Sequence, residues 1–302
     1  MMPFVTQVWQ IYLLIFLLNL FSAGFKPVFA ATIPDILPDE RTFTRALSMS
    51  RLAYDLENLL SPTIAGIALL FTTYTGLFAT NSVAFIVSAV LIVFTMLPPS
   101  RKVARLGNIW SEITFGTVAY FKTPRLRGLF ALYLGVSAAS AMVIVNTVIY
   151  VKDTLGLTST DVATALAASG GGSMIAALIL PRILDKVPDR PVMLLGGLVM
   201  AVGVALVGTG PGFMQMLPMW FLIGIGWSVV QTPAGRVVNR SSAPSDRSAF
   251  FSAQFALSHA CWLVFYPVAG QLGTRLGVET TAIWLAGGIG LFTVLALSLI
   301  HI

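Results

Sequence analysis

Cysteine occurs once, at Cys261, which excludes an internal disulfide and any metal site built from several thiolates. Histidine occurs twice, at His259 and the penultimate His301, so triad or metal chemistry has few raw materials. No HExxH, GxSxG or Walker lysine pattern is present, and the enzyme classes and ATP-driven work that depend on them are unsupported. Charged residues make up only 10% of the chain, too few for a soluble domain of 302 residues to cover its surface. No Lys or Arg precedes Lys26, so the first apolar run lacks the basic start of a signal peptide and is expected to be a span.

What is present is apolar surface. Hydrophobic residues make up 57% of the chain, and the mean hydropathy of +0.87 marks an all-α polytopic membrane protein. A net charge of +6 is compatible with nucleic-acid binding in principle. The basic residues, however, fall between apolar blocks and form no aromatic-interleaved patch, so no nucleic-acid partner is expected. Windows of about 20 residues predict nine spans, at 10–32, 51–72, 76–97, 129–150, 160–181, 192–210, 213–235, 248–272 and 280–300. They divide into a partial N-terminal bundle of three spans (1–97), a linker (98–128) and a C-terminal bundle of six (129–302). The linker carries six basic residues, and Ile109, Ile113, Phe115, Val118 and Phe121 are expected to form the apolar stripe of a short surface helix.

The loops alternate in charge. Segments 33–51, 98–128, 182–190 and 236–247 carry 3, 6, 3 and 3 basic residues, against two on the opposite side, Lys152 and Arg275. The positive-inside rule therefore puts these four segments in the cytoplasm, the N-terminus outside and the C-terminus inside. A repeat supports a six-helix unit: Pro27, Pro38 and Arg41 recur as Pro233, Pro244 and Arg247 at one offset of 206 residues, and Pro62 recurs as Pro267 at 205. Under that repeat, spans four to six have no N-terminal counterparts, and three helices in about 80 residues are expected upstream.

These features resemble the major facilitator superfamily, which is built as two six-helix halves around a cytoplasmic linker; this chain looks like helices four to twelve. The stretches FSAGFKPVFAATIPDILPDERTFTRALSMSR, LSPTIAGIALL and TGLFATNSVAFIVSAVLIV resemble the bacterial efflux branch that includes enterobactin-exporter-like proteins. The exporter motif Gly-Pro-x-x-Gly-Gly is matched by Ser61, Pro62, Ala65 and Gly66, with Pro62 and Gly66 kept. The inter-helix motif Asp-Arg-x-Gly-Arg is matched loosely by Asp185, Lys186, Pro188 and Asp189 with Arg190 adjacent, which implies a gating role for Asp185. The resemblance implies a secondary transporter exporting a small, amphipathic molecule by alternating access in exchange for protons, in the bacterial inner membrane. It implies no cofactor and no obligate protein partner beyond membrane lipid. The alternative is a non-transporting membrane fragment from a truncated gene or a misplaced start codon.

Polar residues inside spans need a reason. Lys26, with Asn19, Ser22 and Ala30, lies on a polar and small stripe of the first span; Asp55, Asn58, Pro62 and Gly66 form a second stripe. Lys26 is expected to pair with Asp55, with Glu57 as the runner-up, unless it snorkels to the headgroups; under the plainer alternative an acid belongs to the cytoplasmic rim, and Arg51 and Asp55 form a local i, i+4 ion pair. His259 lies mid-span as a proton-coupling candidate or as a packing histidine. Asn146, Gln231 and Gln254 are cavity candidates that serve equally well to join helices. Cys261 reads as a small packing residue. Thr164, Ala168, Gly172 and Ala176 read as a close helix-packing ridge.

Overall fold

A computed structural model describes residues 5–94 and 109–299. The described regular structure is helical: α1 (Val8–Ile36), α2 (Glu40–Ala68), α3 (Tyr74–Phe94), α4 (Ile109–Lys122), α5 (Pro124–Ala141), α6 (Thr147–Ile149), α7 (Ser159–Leu184), α8 (Asp189–Val207), α9 (Phe213–Arg240), α10 (Arg247–Leu276) and α11 (Val278–Leu299). Single π-helical turns at Met142–Asn146 and Tyr150–Thr154 flank α6, so Pro124–Thr154 runs as one helix. Eight of these helices are long and apolar enough to cross a membrane, which makes the chain an integral, multi-pass membrane protein. Their ends fall within a few residues of the expected spans.

The remaining expected span, 51–72, lies on α2, which differs from expectation. The helix starts at Glu40, well inside the segment expected to be a loop, and Arg41, Arg45 and Arg51 are helical. The start is set by Asp39, whose carboxylate accepts from the Thr42 backbone N–H at 2.9 Å and from the Thr42 hydroxyl at 2.8 Å. These bonds hold the Asp39 carboxyl below the usual carboxylate range. The cap is therefore complete above that range and is lost only as pH falls through the lowered value. At 29 residues α2 matches α1 in length, but its charges keep it out of the eight apolar helices.

The second half holds the core. The helix from Pro124 is buried along most of its length and packs against α8, α9, α10 and α11 through Leu126, Leu129, Leu132 and Val136. Its lower part is pinned by polar contacts: Trp220 Nε1 donates to Thr147 Oγ1 at 2.7 Å, and the Tyr150 hydroxyl donates to the Pro211 carbonyl at 2.9 Å. The small-residue ridge of α7 meets α9 as expected. A Cβ on Gly172 would stand 2.0 Å from the Phe221 carbonyl oxygen, and one on Gly224 would stand 1.9 Å from the Ser169 carbonyl oxygen. Between α10 and α11 a single residue reverses the chain: Gly277, at φ +81°.

The first two helices lean on the second half more than on each other. On α1 the buried residues are Pro27, Ala31 and Pro34, set against α10, whereas the Asn19, Lys26 stripe is exposed. α3 buries nothing. α2 lies along α7 and touches α9. Of the expected linker, 98–108 lies outside the described residues and 124–128 already belongs to α5. Its helix α4 forms, with Phe115 half-buried against the core and the side chains of Ile109 and Ile113 outside the described residues. Gly116 and Tyr120 are buried, a Cβ on Gly116 would meet the Ala249 carbonyl oxygen at 2.4 Å, and Val118 and Phe121 stay exposed. The glycine lets α10 approach on that side.

Candidate functional site

Arg51 and Asp55 stand one turn apart on α2, about 16 Å beyond its first residue at 1.5 Å per residue, and both are buried. The two form a close ion pair: Arg51 Nε donates to Asp55 Oδ2 at 3.1 Å, and Nη2 lies 2.9 Å from Oδ1. The Ser173 hydroxyl of α7 donates to Asp55 Oδ2 at 2.5 Å and accepts from Arg51 Nε at 3.1 Å. Arg51 Nη1 donates to Gln231 Oε1 of α9 at 2.8 Å. The guanidinium also lies 5.2 Å from the Trp227 ring centre and 5.3 Å from that of Tyr54. Gln231 Nε2 is buried without a hydrogen-bond partner among the described residues.

This network forms one end of a cavity of about 580 Å³ between α2, α7, α9 and the start of the π-turn at Met142. Tyr54, Asp55 and Asn58 line it from α2, Thr160 through Ser173 from α7, and Trp227 from α9. Its remaining walls are mostly apolar. The cavity thus runs from the network toward the start of α7, away from the end where Glu40 lies.

That other end is closed by ion pairs between the halves. Arg236, itself buried, reaches Glu40 at 3.0 Å, Asp189 at 3.2 Å and the Thr44 hydroxyl at 2.8 Å. Arg240 pairs with Asp189 at 2.7 Å and also with Glu40. Arg41 Nε lies 3.4 Å from Asp185, and Arg247 pairs with Asp35. Two of these ties are related by the sequence repeat. The start of α2 meets the end of α9 through Glu40 and Arg240, and the start of α10 meets the end of α1 through Arg247 and Asp35. The positions correspond to within one residue at the 206-residue offset, with the signs of charge exchanged.

The structure sorts the sequence candidates. Asp55 is in the network, but its cation is Arg51, not Lys26; Lys26 is exposed on α1 with no ion-pair partner among the described residues, and Glu57 is exposed. Gln231 joins the network. Asn146 is buried away from the cavity, donating to Met142 Sδ at 3.5 Å and closing against Gly273. Gln254 accepts from the Tyr120 hydroxyl of α4 and so ties α10 to that helix. Asn19 donates to the Ile15 carbonyl of its own helix at 2.8 Å. His259 is exposed, 2.8 Å from the Phe255 carbonyl, tilted over the Phe255 ring and edge-on to Trp262, so it is neither a core histidine nor a cavity residue. Asp185 and Arg190 lie at the ion-paired end, with Arg190 Nη2 donating to the Leu297 carbonyl at 2.9 Å. The side-chain surroundings of Pro62 and Gly66 lie outside the described residues. Sequence reasoning did not single out Ser173, Trp227, Glu40, Arg236 or Arg240 as site residues; it named Asp189 only within the loosely matched motif and gave the Arg51–Asp55 pair only as a local alternative at the span's rim.

An all-helical, multi-pass membrane protein with a polar network at one end of a cavity and ion pairs across its halves is the class that these features define. The family model of the Major Facilitator Superfamily matches residues 1–260 and, in a second alignment, 129–301. The chain belongs to that superfamily. It is similar to the uncharacterized MFS-type transporter YfiS of Bacillus subtilis (strain 168), at 24% identity over 265 residues. That alignment covers 81% of this chain and 60% of YfiS, so the chain spans about three fifths of its relative.

Proposed function

We propose that this chain carries the moving parts of a secondary active transporter that passes a small, amphipathic molecule by alternating access, coupled to protons. The observation that carries the reading is the buried Arg51–Asp55 pair, held by Ser173 and Gln231 from the other half at the inner end of a largely apolar cavity. A buried ion pair is a weak source of stability, yet in hydrocarbon it marks a pathway or a relay. Protonation of Asp55 would release Arg51 and Ser173 together and uncouple α2 from α7 and α9. Trp227 and Tyr54 then offer a cationic or aromatic cargo a face to stack on.

In this reading α2 is a ninth span, supported by its course along α7. Arg41 meets Asp185 near the end of α7, Arg51 meets Ser173 midway, and Asn58 shares the cavity with Thr160 near its start. The division into 1–97, 98–128 and 129–302 then follows, with the basic end in the cytoplasm and the N-terminus outside. The form described is closed at that end by the Glu40, Asp189, Arg236 and Arg240 cluster. Export, in the bacterial inner membrane, rests on the resemblance of Ser61 to Gly66 to the exporter motif. The test is uptake of an amphipathic fluorescent cation into proteoliposomes under an imposed pH gradient. The reading expects gradient-dependent movement that Asp55→Asn abolishes, since an amide carries no exchangeable coupling proton. Movement equal to that in empty liposomes would favour the alternative, a membrane fragment that transports nothing.

A further inference from the structure

A second, smaller cavity of about 230 Å³ opens at the basic end between α5, α8 and α9, apart from the transport cavity. Three arginines line it, Arg125, Arg190 and Arg240, with Asp189 as its single acid. The charge account around it does not balance. Glu40 and Asp189 are matched by Arg236 and Arg240, which form a closed set of four. Arg125 and Arg190 then remain with no ion-pair partner among the described residues, although both are half-buried. The Arg190 guanidinium is held by the Leu297 carbonyl, while its Nε is buried with no hydrogen bond. Two surplus guanidiniums in a recess, one of them already oriented, have a cost that an anion would remove.

We propose that this recess is a binding site for a phosphate group, held by Arg125 and Arg190 with Arg240 as the third cation. Phosphate suits the planar forks of arginine, which bond its oxygens two at a time. The cavity is smaller than the roughly 300 Å³ at which drug-sized sites begin, and no aromatic ring lines it on which a nucleotide base would stack. Leu129, Met193 and Val237 supply an apolar wall beside the arginines, which suits the glycerol and upper acyl carbons of an anionic phospholipid. Basic recesses between helices on the cytoplasmic side have this character. A free phosphate from the cytoplasm shares the same oxygen chemistry. Either occupant draws on Arg240, which also ties α9 to Glu40, so occupancy loosens one bond of the closed end.

The test uses the full chain in detergent. Native mass spectrometry measures retention of phosphatidylglycerol against phosphatidylcholine, and thermal unfolding compares inorganic phosphate with chloride at equal ionic strength after delipidation. Arg125→Gln is the informative variant because Arg125 holds no ion pair, and Arg125→Lys keeps the charge. About tenfold weaker retention of phosphatidylglycerol in Arg125→Gln, partly recovered in Arg125→Lys, supports the site with a lipid as its source. A phosphate-specific rise in unfolding temperature that Arg125→Gln removes, without a lipid preference, supports it with a soluble source. If Arg125→Gln fails to fold, the native chain decides: a preference for phosphatidylglycerol or phosphate supports the site. Equal behaviour toward both lipids and both anions overturns it.

Discussion

Replacing Arg51 by alanine should be the most damaging single change in the first half of the chain. It leaves the Asp55 carboxylate buried, with only the Ser173 hydroxyl still bonded to it and Gln231 unbonded. Breaking a buried pair from one side costs about 3–5 kcal/mol, more than the pair contributes, because the remaining charge has lost its counter-ion. Adding Asp55→Ala should therefore recover part of the loss. Thermal unfolding in detergent of both single variants and the double variant measures the coupling. Losses that simply add would show that Arg51 and Asp55 act independently. Lys26→Ala serves as the control and should change little, since that side chain is exposed and unpaired among the described residues.

The second large effect is expected at Asp189, which joins Arg236 and Arg240 and sits at the first residue of α8. Asp189→Ala leaves the Arg236 guanidinium, only 6% exposed, with Glu40 and Thr44 alone. A loss of about 3 kcal/mol is expected. It should fall on the contact between α2 and the second half, because Glu40 would have to neutralise both arginines. Limited proteolysis near Glu40 should speed up, while cleavage within α5, at the centre of the core, should not. Unchanged protection near Glu40 would mean that the cluster does not hold α2 in place.

Much of the fold was legible because hydrocarbon imposes a simple rule, and eight apolar runs of sufficient length show it. α2 was harder. Its first half carries Glu40, Arg41, Arg45 and Arg51, which read as a loop, and its true start depends on the Asp39 cap. Moving that start from 51 to 40 carries Arg51 from the expected end of the helix to about three turns inside it, and the partner favoured for Asp55 then changes from Lys26 to Arg51. The i, i+4 spacing offers Arg51 as the alternative partner, but as a local pair at the rim and not as a buried one. Ser173 was hidden for a different reason: it lies 118 residues from Asp55 and belongs to a ridge whose glycines do serve close packing. The charged cluster draws on α2, α8 and α9, and no local pattern brings those three together. The resemblance did point to its neighbourhood through Asp185, Asp189 and Arg190, although the gating role it implied was placed on Asp185 and the buried bonds are made by Asp189.

Alternating access as proposed requires the cavity to be open on the side opposite the basic end and closed on the basic side by the Glu40 cluster. The single native cysteine, Cys261, is buried, so a cysteine placed at Asn58, on the cavity wall, reports without interference. The decisive measurement is the rate at which a membrane-impermeant maleimide labels Asn58→Cys in intact cells and in inverted vesicles, with and without Glu40→Gln and Arg240→Gln. Labelling from outside in the parent, shifting toward the inside when the two charges are removed, is the predicted result. Labelling from the inside in the parent, or a pattern indifferent to Glu40 and Arg240, would contradict it.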